Sequence, residues 1–213
     1  IQSIGKVSRQ GQSLQVQGCE PFSPLFLGDS VAVDGVCLTV ASIIPKGFLA
    51  DVSEETLRRT NLGQKAEYDG FVNLEPALRL SDRIGGHLVS GHVDGLGLIN
   101  SIERLTYSWK IEVNWRSIDF GRYICEKASI CLDGISLTIA DCSESGDTFS
   151  ISVIPHTWSN TSLQHLEEGR IVNLEVDLMA KYAEKLLKNI NSAPNNLPSP
   201  KISSSWLEKH GWT

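Results

Sequence analysis

The chain repeats itself, and the repeat limits what it can fold into more than any other feature. Asp34-Gly35-Val36-Cys37-Leu38-Thr39-Val40 returns as Asp133-Gly134-Ile135-Ser136-Leu137-Thr138-Ile139, 99 residues later. Thr56 and Thr60-Asn61-Leu62 return as Thr157 and Thr161-Ser162-Leu163 at an offset of 101, and Val72-Asn73-Leu74-Glu75 as Val172-Asn173-Leu174-Glu175 at 100. Three blocks in one order with small length changes describe a duplicated domain. In 213 residues each copy has about 100, enough to bury its own core, which a solenoid unit cannot do alone.

Within each copy the apolar runs are short, rich in Val, Ile, Leu and Thr, and separated by turn residues, as in Ser30–Val40 and Gly47–Val52. They read as antiparallel strands, which predicts an all-β fold with a small closed barrel in each half. Asp34-Gly35 and Asp133-Gly134 each stand between two such runs, a hairpin signal, because Gly takes positive φ at no steric cost and Asp tolerates it. Glu54–Arg59 and Thr157–Thr161 interrupt the strands at matching positions and predict a short helix or turn over one end of each barrel.

The junction Leu80-Ser-Asp-Arg-Ile-Gly-Gly-His87-Leu-Val-Ser-Gly-His92-Val-Asp94 carries paired glycines and two of the five histidines. From Leu178 to Ile190 the apolar residues Leu178, Tyr182 and Leu186 recur every four positions, with Met179, Ala183, Leu187 and Ile190 beside them. That is an amphipathic helix whose stripe suits docking against another copy of the chain. A Ser/Pro/Asn-rich linker follows to Ser204, and Ser205-Trp-Leu-Glu208 fits a capping box opening a very short helix. The expected division is 1–86 and 87–177 for the two barrels, 178–190 for the helix, and 191–213 for linker and tail.

Composition removes several function classes. Twenty-five acidic against 19 basic residues, with no basic run, argue against a nucleic-acid partner. No apolar stretch nears the roughly 18 residues of a membrane span, and no leader pattern opens the chain. Five cysteines without a C-x-x-C pair suggest reduced thiols, neither a disulfide framework nor a thiolate zinc site. A cytoplasmic protein that does not enter membranes is the expectation.

The blocks Gly35–Val40, Glu55-Thr-Leu-Arg-Arg-Thr-Asn-Leu-Gly63, Ser81–His92 and Asp133-Gly-Ile-Ser136-Leu-Thr138 together resemble the riboflavin synthase alpha chain family. The resemblance runs from Ile1 to about Ile190, and the block ending Ser-Gly-His is its most specific part. It implies two tandem six-stranded Greek-key barrels, a C-terminal helix gathering a homotrimer, and active sites between the N-terminal barrel of one subunit and the C-terminal barrel of its neighbour. It implies 6,7-dimethyl-8-ribityllumazine as substrate, no cofactor and no metal, and association with lumazine synthase. Such chains open Met-Phe-Thr-Gly; aligning Ile4–Val7 with Leu96–Ile99 puts the counterpart of Ser90-Gly91-His92 before Ile1.

On that resemblance His92 is the first candidate for proton transfer, since imidazole titrates closest to neutral pH, whereas His87 reads as structural. Cys37 and Ser136, paired by the repeat, are the other catalytic candidates. A free strand cysteine is ordinarily a buried one; the resemblance makes Cys37 a nucleophile or proton donor near the acceptor ring. Thr39 and Thr138 offer hydroxyls to the ring edge or ribityl chain, with Asp51, Val52, Ser53, Glu54, Glu55 and Thr56 completing one pocket and Val153, Ile154, Pro155, His156, Thr157 and Trp158 the other. Lys127 would stabilise an anionic lumazine. Ile1, Leu38, Gly91, Val93, Leu137 and Asp177 complete the implied substrate-binding set, Asp177 and Glu55 as orienting or charge-balancing groups. A non-catalytic lumazine protein would share fold, repeat and junction, but the set Cys37, His92, Ser136 and Lys127 favours the enzyme. A flavin-binding barrel of an oxidoreductase should bring a nucleotide-binding loop, and a zinc site on His87 and His92 lacks further ligands at sensible spacing.

Overall fold

The computed structural model describes residues 1–192 and 204–211. The first repeat supplies β1 (Ser3–Gln10), β2 (Ser13–Gln17), β3 (Ser30–Val33), β4 (Val36–Thr39), β5 (Ser42–Ile44), β6 (Gly47–Asp51) and β7 (Gly70–Pro76). The second supplies β8 (Gly95–Arg104), β9 (Trp109–Trp115), β10 (Ser129–Leu132), β11 (Ile135–Cys142), β12 (Thr148–Val153) and β13 (Ile171–Val176). Helices α1 (Glu54–Arg59) and α2 (Leu62–Ala66) precede β7, and α3 (Pro155–Ser159) with a 3-10 turn (Ser162–His165) precedes β13. Ile1–Lys181 form one compact unit, and a second begins at Tyr182.

The second repeat is a closed barrel in the order β10-β11-β12-β9-β8-β13. The first runs β4-β3-β7-β1-β2-β6-β5, the same arrangement with one strand split. Its counterpart, β11, stays continuous, bending at a register shift between Ile139 and Asp141. At the matching place Val40 N–H bonds Asp29 C=O, as Ile139 N–H bonds Ala128 C=O in the second repeat, and Ala41 N–H bonds Leu49 C=O, all at 2.9 Å; β4 and β5 lie either side of Val40–Ala41, at the two ends of the sheet order. The steps from β2 to β3 and from β6 to β7 pass over neighbouring strands, as Greek-key connections do.

Alternation fills each interior. Val7, Leu14, Val16, Val31, Val33, Phe48, Val72 and Leu74 make the first core; Ile99, Ile111, Val113, Ile130, Leu132, Phe149, Val172 and Leu174 make the second. Two residues cross over: Val93 packs against the first core and Ile1 against the second. No described helix is long and apolar enough to cross a membrane.

The two Asp-Gly pairs form the expected two-residue hairpins, with φ positive at Asp34 (46°), Gly35 (74°), Asp133 (45°) and Gly134 (82°), the signature of a type I′ turn. The hairpins meet. The Asn73 main chain bonds Asp34 of its own repeat, its N–H donating to the Asp34 carboxylate (2.7 Å) and its C=O accepting from Asp34 N–H (2.9 Å), while its side chain crosses the seam, donating to Asp133 C=O (2.9 Å) and accepting from Ser162 N–H (2.7 Å). Asn173 mirrors it, donating to Asp34 C=O (3.0 Å) and accepting from Asn61 N–H (2.8 Å). The Lys65 ammonium reaches both carboxylates, Asp34 and Asp133, all three groups nearly sealed from water.

At the C-terminus α4 (Leu178–Ser192) extends two residues past the expected helix, and Met179, Tyr182, Leu186 and Leu187 on it are exposed. A short helix, α5 (Ser204–Lys209), forms in the tail, but it begins before Ser205, which therefore lies inside its first turn and not at the N-cap the capping box assigned it. The 193–203 stretch of the linker lies outside the described residues.

Removing Lys65 leaves two carboxylates facing each other without a counter-ion, so Lys65→Met should lower the free energy of unfolding by about 3–5 kcal/mol, measurable by urea titration. Burial, then the Asp133 carboxylate, push the Asp34 carboxyl up to about 7 from its ordinary 3.8, against the pull of Lys65 and Asn73. A carboxyl raised in the folded state binds more protons there than in the unfolded chain, so its contribution is full at acid pH and is lost as pH climbs towards 7. Asp34→Asn keeps the shape and tolerates positive φ. Its stability should therefore fall less between about pH 4 and 7 than that of the parent chain.

Candidate active site

On β4 alternation buries Val36 and Leu38 and turns Cys37 and Thr39 to the outside; on β11 Ser136 and Thr138 take the same positions, Ser136 half-buried. The reading of Cys37 as a buried strand cysteine fails here: Cys37 is exposed, because the apolar partners of the alternation are its neighbours. Cys37 N–H donates to Gly91 C=O at 2.9 Å. Gly91 sits at φ 81°, and a Cβ there would lie 2.8 Å from Cys37 Cβ, so only glycine fits this approach. His92 follows, exposed.

A cavity of about 600 Å³ runs between the repeats and gathers Ile1, Cys37, Gly91, Ser136, His156 and Thr157. One wall is the junction from Arg83 to Ser90, part of the Ser81–His92 block that carries the family resemblance. His87 stands in it against Ser136, whose Oγ lies 2.7 Å from the ring Nδ1 and accepts from His87 N–H at 3.1 Å. Burial holds the His87 imidazole below its ordinary pKa, opposed by Asp177 and Glu175. The contact fits the structural role read for His87 and also ties it to a candidate catalytic hydroxyl.

The remaining candidates lie outside that cavity's lining. Leu38 belongs to the first core, with Val52 and Val93 packed on it; Leu137 packs on the second, to which Val153 belongs. Asp51 accepts from Ser13 Oγ at 2.7 Å, and Ser53 Oγ caps α1 by accepting from Thr56 N–H at 3.1 Å. Glu54 is exposed, and Glu55 is held by Arg59 and Arg58, whose hydrogen bonds keep its carboxyl below the ordinary range. Ile154 and Pro155 are exposed at the start of α3, and Trp158 stacks on Trp109 with ring centres 4.7 Å apart. Lys127 is exposed at φ 65°. Asp177 accepts from Met179 N–H at 2.9 Å, which caps the first turn of α4. Among the described residues no group of three His, Cys, Asp or Glu side chains could hold a metal ion.

Thiol chemistry should separate the cysteines. Cys37 and Cys125 are exposed, whereas Cys19 and Cys131 are buried; burial pushes the Cys19 thiol up to about 11 and the Cys131 thiol higher still. Iodoacetamide at pH 8, followed by peptide mass spectrometry, should label Cys37 and Cys125 before Cys19 and Cys131.

The lumazine-binding-domain family matches residues 1–77 and 90–177. Riboflavin synthase of Actinobacillus pleuropneumoniae is 40% identical over 100% of this chain and 98% of its own length. That of Chlamydia pneumoniae is 42% identical over 89% and 94%, and that of Mycobacterium bovis 46% over 76% and 81%. Among solved structures, LumP complexed with riboflavin aligns at TM-score 0.70, covering 83% of this chain and 96% of that one at 21% identity. LumP complexed with 6,7-dimethyl-8-(1'-D-ribityl) lumazine aligns at TM-score 0.68, with the same identity and coverage; both are likenesses of fold. On the strength of the sequence matches across both repeats, the chain belongs to the riboflavin synthase family of lumazine-binding-domain proteins.

Proposed function

We propose that the chain is a transferase that dismutates two molecules of 6,7-dimethyl-8-ribityllumazine, moving a four-carbon unit from one to the other. The products are riboflavin and 5-amino-6-(D-ribitylamino)uracil, the last step of riboflavin biosynthesis. The atoms of two substrates equal those of the two products, so no redox partner enters. The observation that carries the reading is the matched pair of outward positions: Cys37 in one repeat and Ser136 in the other. Two identical molecules need two related half-sites, and one must give what the other takes, so the half-sites must differ in chemistry.

His92 removes a proton from the 7-methyl group of one lumazine, and Cys37 serves the other ring as nucleophile or proton donor. Thr39 with Asp51–Thr56 and Thr138 with Val153–Trp158 hold the two ring edges and ribityl chains, and Lys127 offsets the anionic charge. Holding the two rings in near-attack contact supplies several kcal/mol, up to about 7–11 in the best cases. Three chains associate through the exposed apolar residues of α4, with the N-terminal half-site of one facing the C-terminal half-site of the next.

Incubation of the full chain with 6,7-dimethyl-8-ribityllumazine alone should yield riboflavin and the aminouracil, followed by absorbance. His92→Ala or Cys37→Ala should lower kcat by about 10²–10⁴-fold. Fluorescent binding without turnover would instead make this a lumazine carrier. Light scattering should give about three times the 23.4 kDa chain mass, and Leu186→Glu should reduce it to one, because a charge in an apolar helix interface is unpaired.

A further inference from the structure

We propose that Glu175 is a positioning residue that sets His92 against Cys37, holding from the second repeat a segment that serves the first. The proposal rests on the synthase reading above, since it assigns Glu175 to the same site. Glu175 lies on β13 and is 2% exposed. Its Oε1 accepts from Ser90 N–H at 2.8 Å and from Ser90 Oγ at 2.6 Å, and its Oε2 accepts from Gly91 N–H at 3.1 Å. The next link is the Gly91 carbonyl, which accepts from Cys37 N–H at 2.9 Å. One buried carboxylate thus fixes two consecutive peptide units that end on the strand carrying Cys37.

The far side of His92 is pinned as well. Asp94 accepts from Val176 N–H at 2.9 Å, one residue beyond Glu175, and pairs with Lys181 at 2.7 Å. Residues 90–94 are therefore anchored before and after His92, while the His92 side chain stays exposed. Three donors converging on one buried carboxyl group make a directional anchor. An imidazole that must meet a substrate proton gains from a backbone that cannot drift, since a displacement of about 1 Å can cost about a hundredfold in rate.

The test uses the full chain and Glu175→Gln, which keeps the shape but replaces one accepting oxygen by a donor facing the same N–H groups. We expect kcat to fall at least about tenfold with KM changing much less, because Thr39 with Asp51–Thr56 and Thr138 with Val153–Trp158, proposed to hold the ring edges and ribityl chains, make no contact with Glu175. Hydrogen exchange at Ser90 and Gly91 should speed up. Added to His92→Ala, Glu175→Gln should lower kcat no further. A loss of the same size in the His92→Ala background, or faster exchange with unchanged kcat, would overturn the proposal. Ser90→Ala, which removes a single hydroxyl donor and spares the carboxylate, should show a smaller kcat loss with the same dependence on His92; its absence counts against the proposal even if the glutamine variant fails to fold. A parent chain that makes no riboflavin sinks the synthase reading by itself, and exchange at Ser90 and Gly91 then still decides the clamp, unchanged protection in Glu175→Gln overturning it.

Discussion

Asp34 and Asp133 face each other across the seam between the repeats, and the Lys65 ammonium between them is what lets two buried carboxylates stay there. Two like charges out of water repel strongly and lose hydration; a shared cation and a full set of N–H donors offset both costs. The seam is also steric. A Cβ on Gly35 would lie 2.7 Å from Gly134 N, and one on Gly134 2.8 Å from Gly35 N, so both hairpin tips must be glycine for backbone to meet backbone. Asn73 and Asn173 then lock the angle, each bonding its own hairpin through the main chain and the opposite one through its amide.

This frame reaches the candidate site by a short path. Cys37 stands three residues past Asp34 and Ser136 three past Asp133, so the geometry of the hairpins sets where both side chains emerge. The crossing segments do the rest. Val93 lies on the first core and Ile1 on the second, which means that each repeat's leading segment is carried to the other's outward strand. The junction from Arg83 to Ser90 is drawn into the same cavity as a consequence.

What the sequence made legible is what repeats or alternates. Comparing the chain with itself located both hairpins and the short helices α1 and α3, though not α2, and the V-C-L-T-V pattern already contained the exposure of Cys37, since its neighbours Val36, Leu38 and Val40 alternate with it. Features without a counterpart stayed hidden. Lys65 aligns with Leu166, a residue that packs on the second core, so the comparison gave no hint that it was the cation of the seam. Glu175 shares its position with Glu75 and looked like a mark of duplication; alternation between the core residues Leu174 and Val176 turns it outward as it turns Cys37, and its burial comes from the Ser90-Gly91 segment that bonds it. The His87–Ser136 contact depends on a partner far along the chain, which no local pattern records.

The places where the repeats differ carry the functional argument. A duplicated frame by itself yields two equal half-sites, and a reaction between identical molecules needs unequal ones. The frame elements Asp34 and Asp133, Asn73 and Asn173, and Thr60 and Thr161, whose hydroxyls donate to Thr56 and Thr157 C=O at 2.7 and 2.8 Å, have stayed alike. Cys37 with Ser136, Asn61 with Ser162, and Lys65 with Leu166 have not. Asn61 and Lys65 diverge although each reaches across the seam to Asp133, so the two repeats close one seam with unlike donors, whereas Cys37 and Ser136 diverge at outward positions of their strands. Glu175 sits between these two classes: it is repeated in type, yet its carboxylate holds Ser90 and Gly91, whose carbonyl in turn accepts from Cys37 N–H on the first repeat.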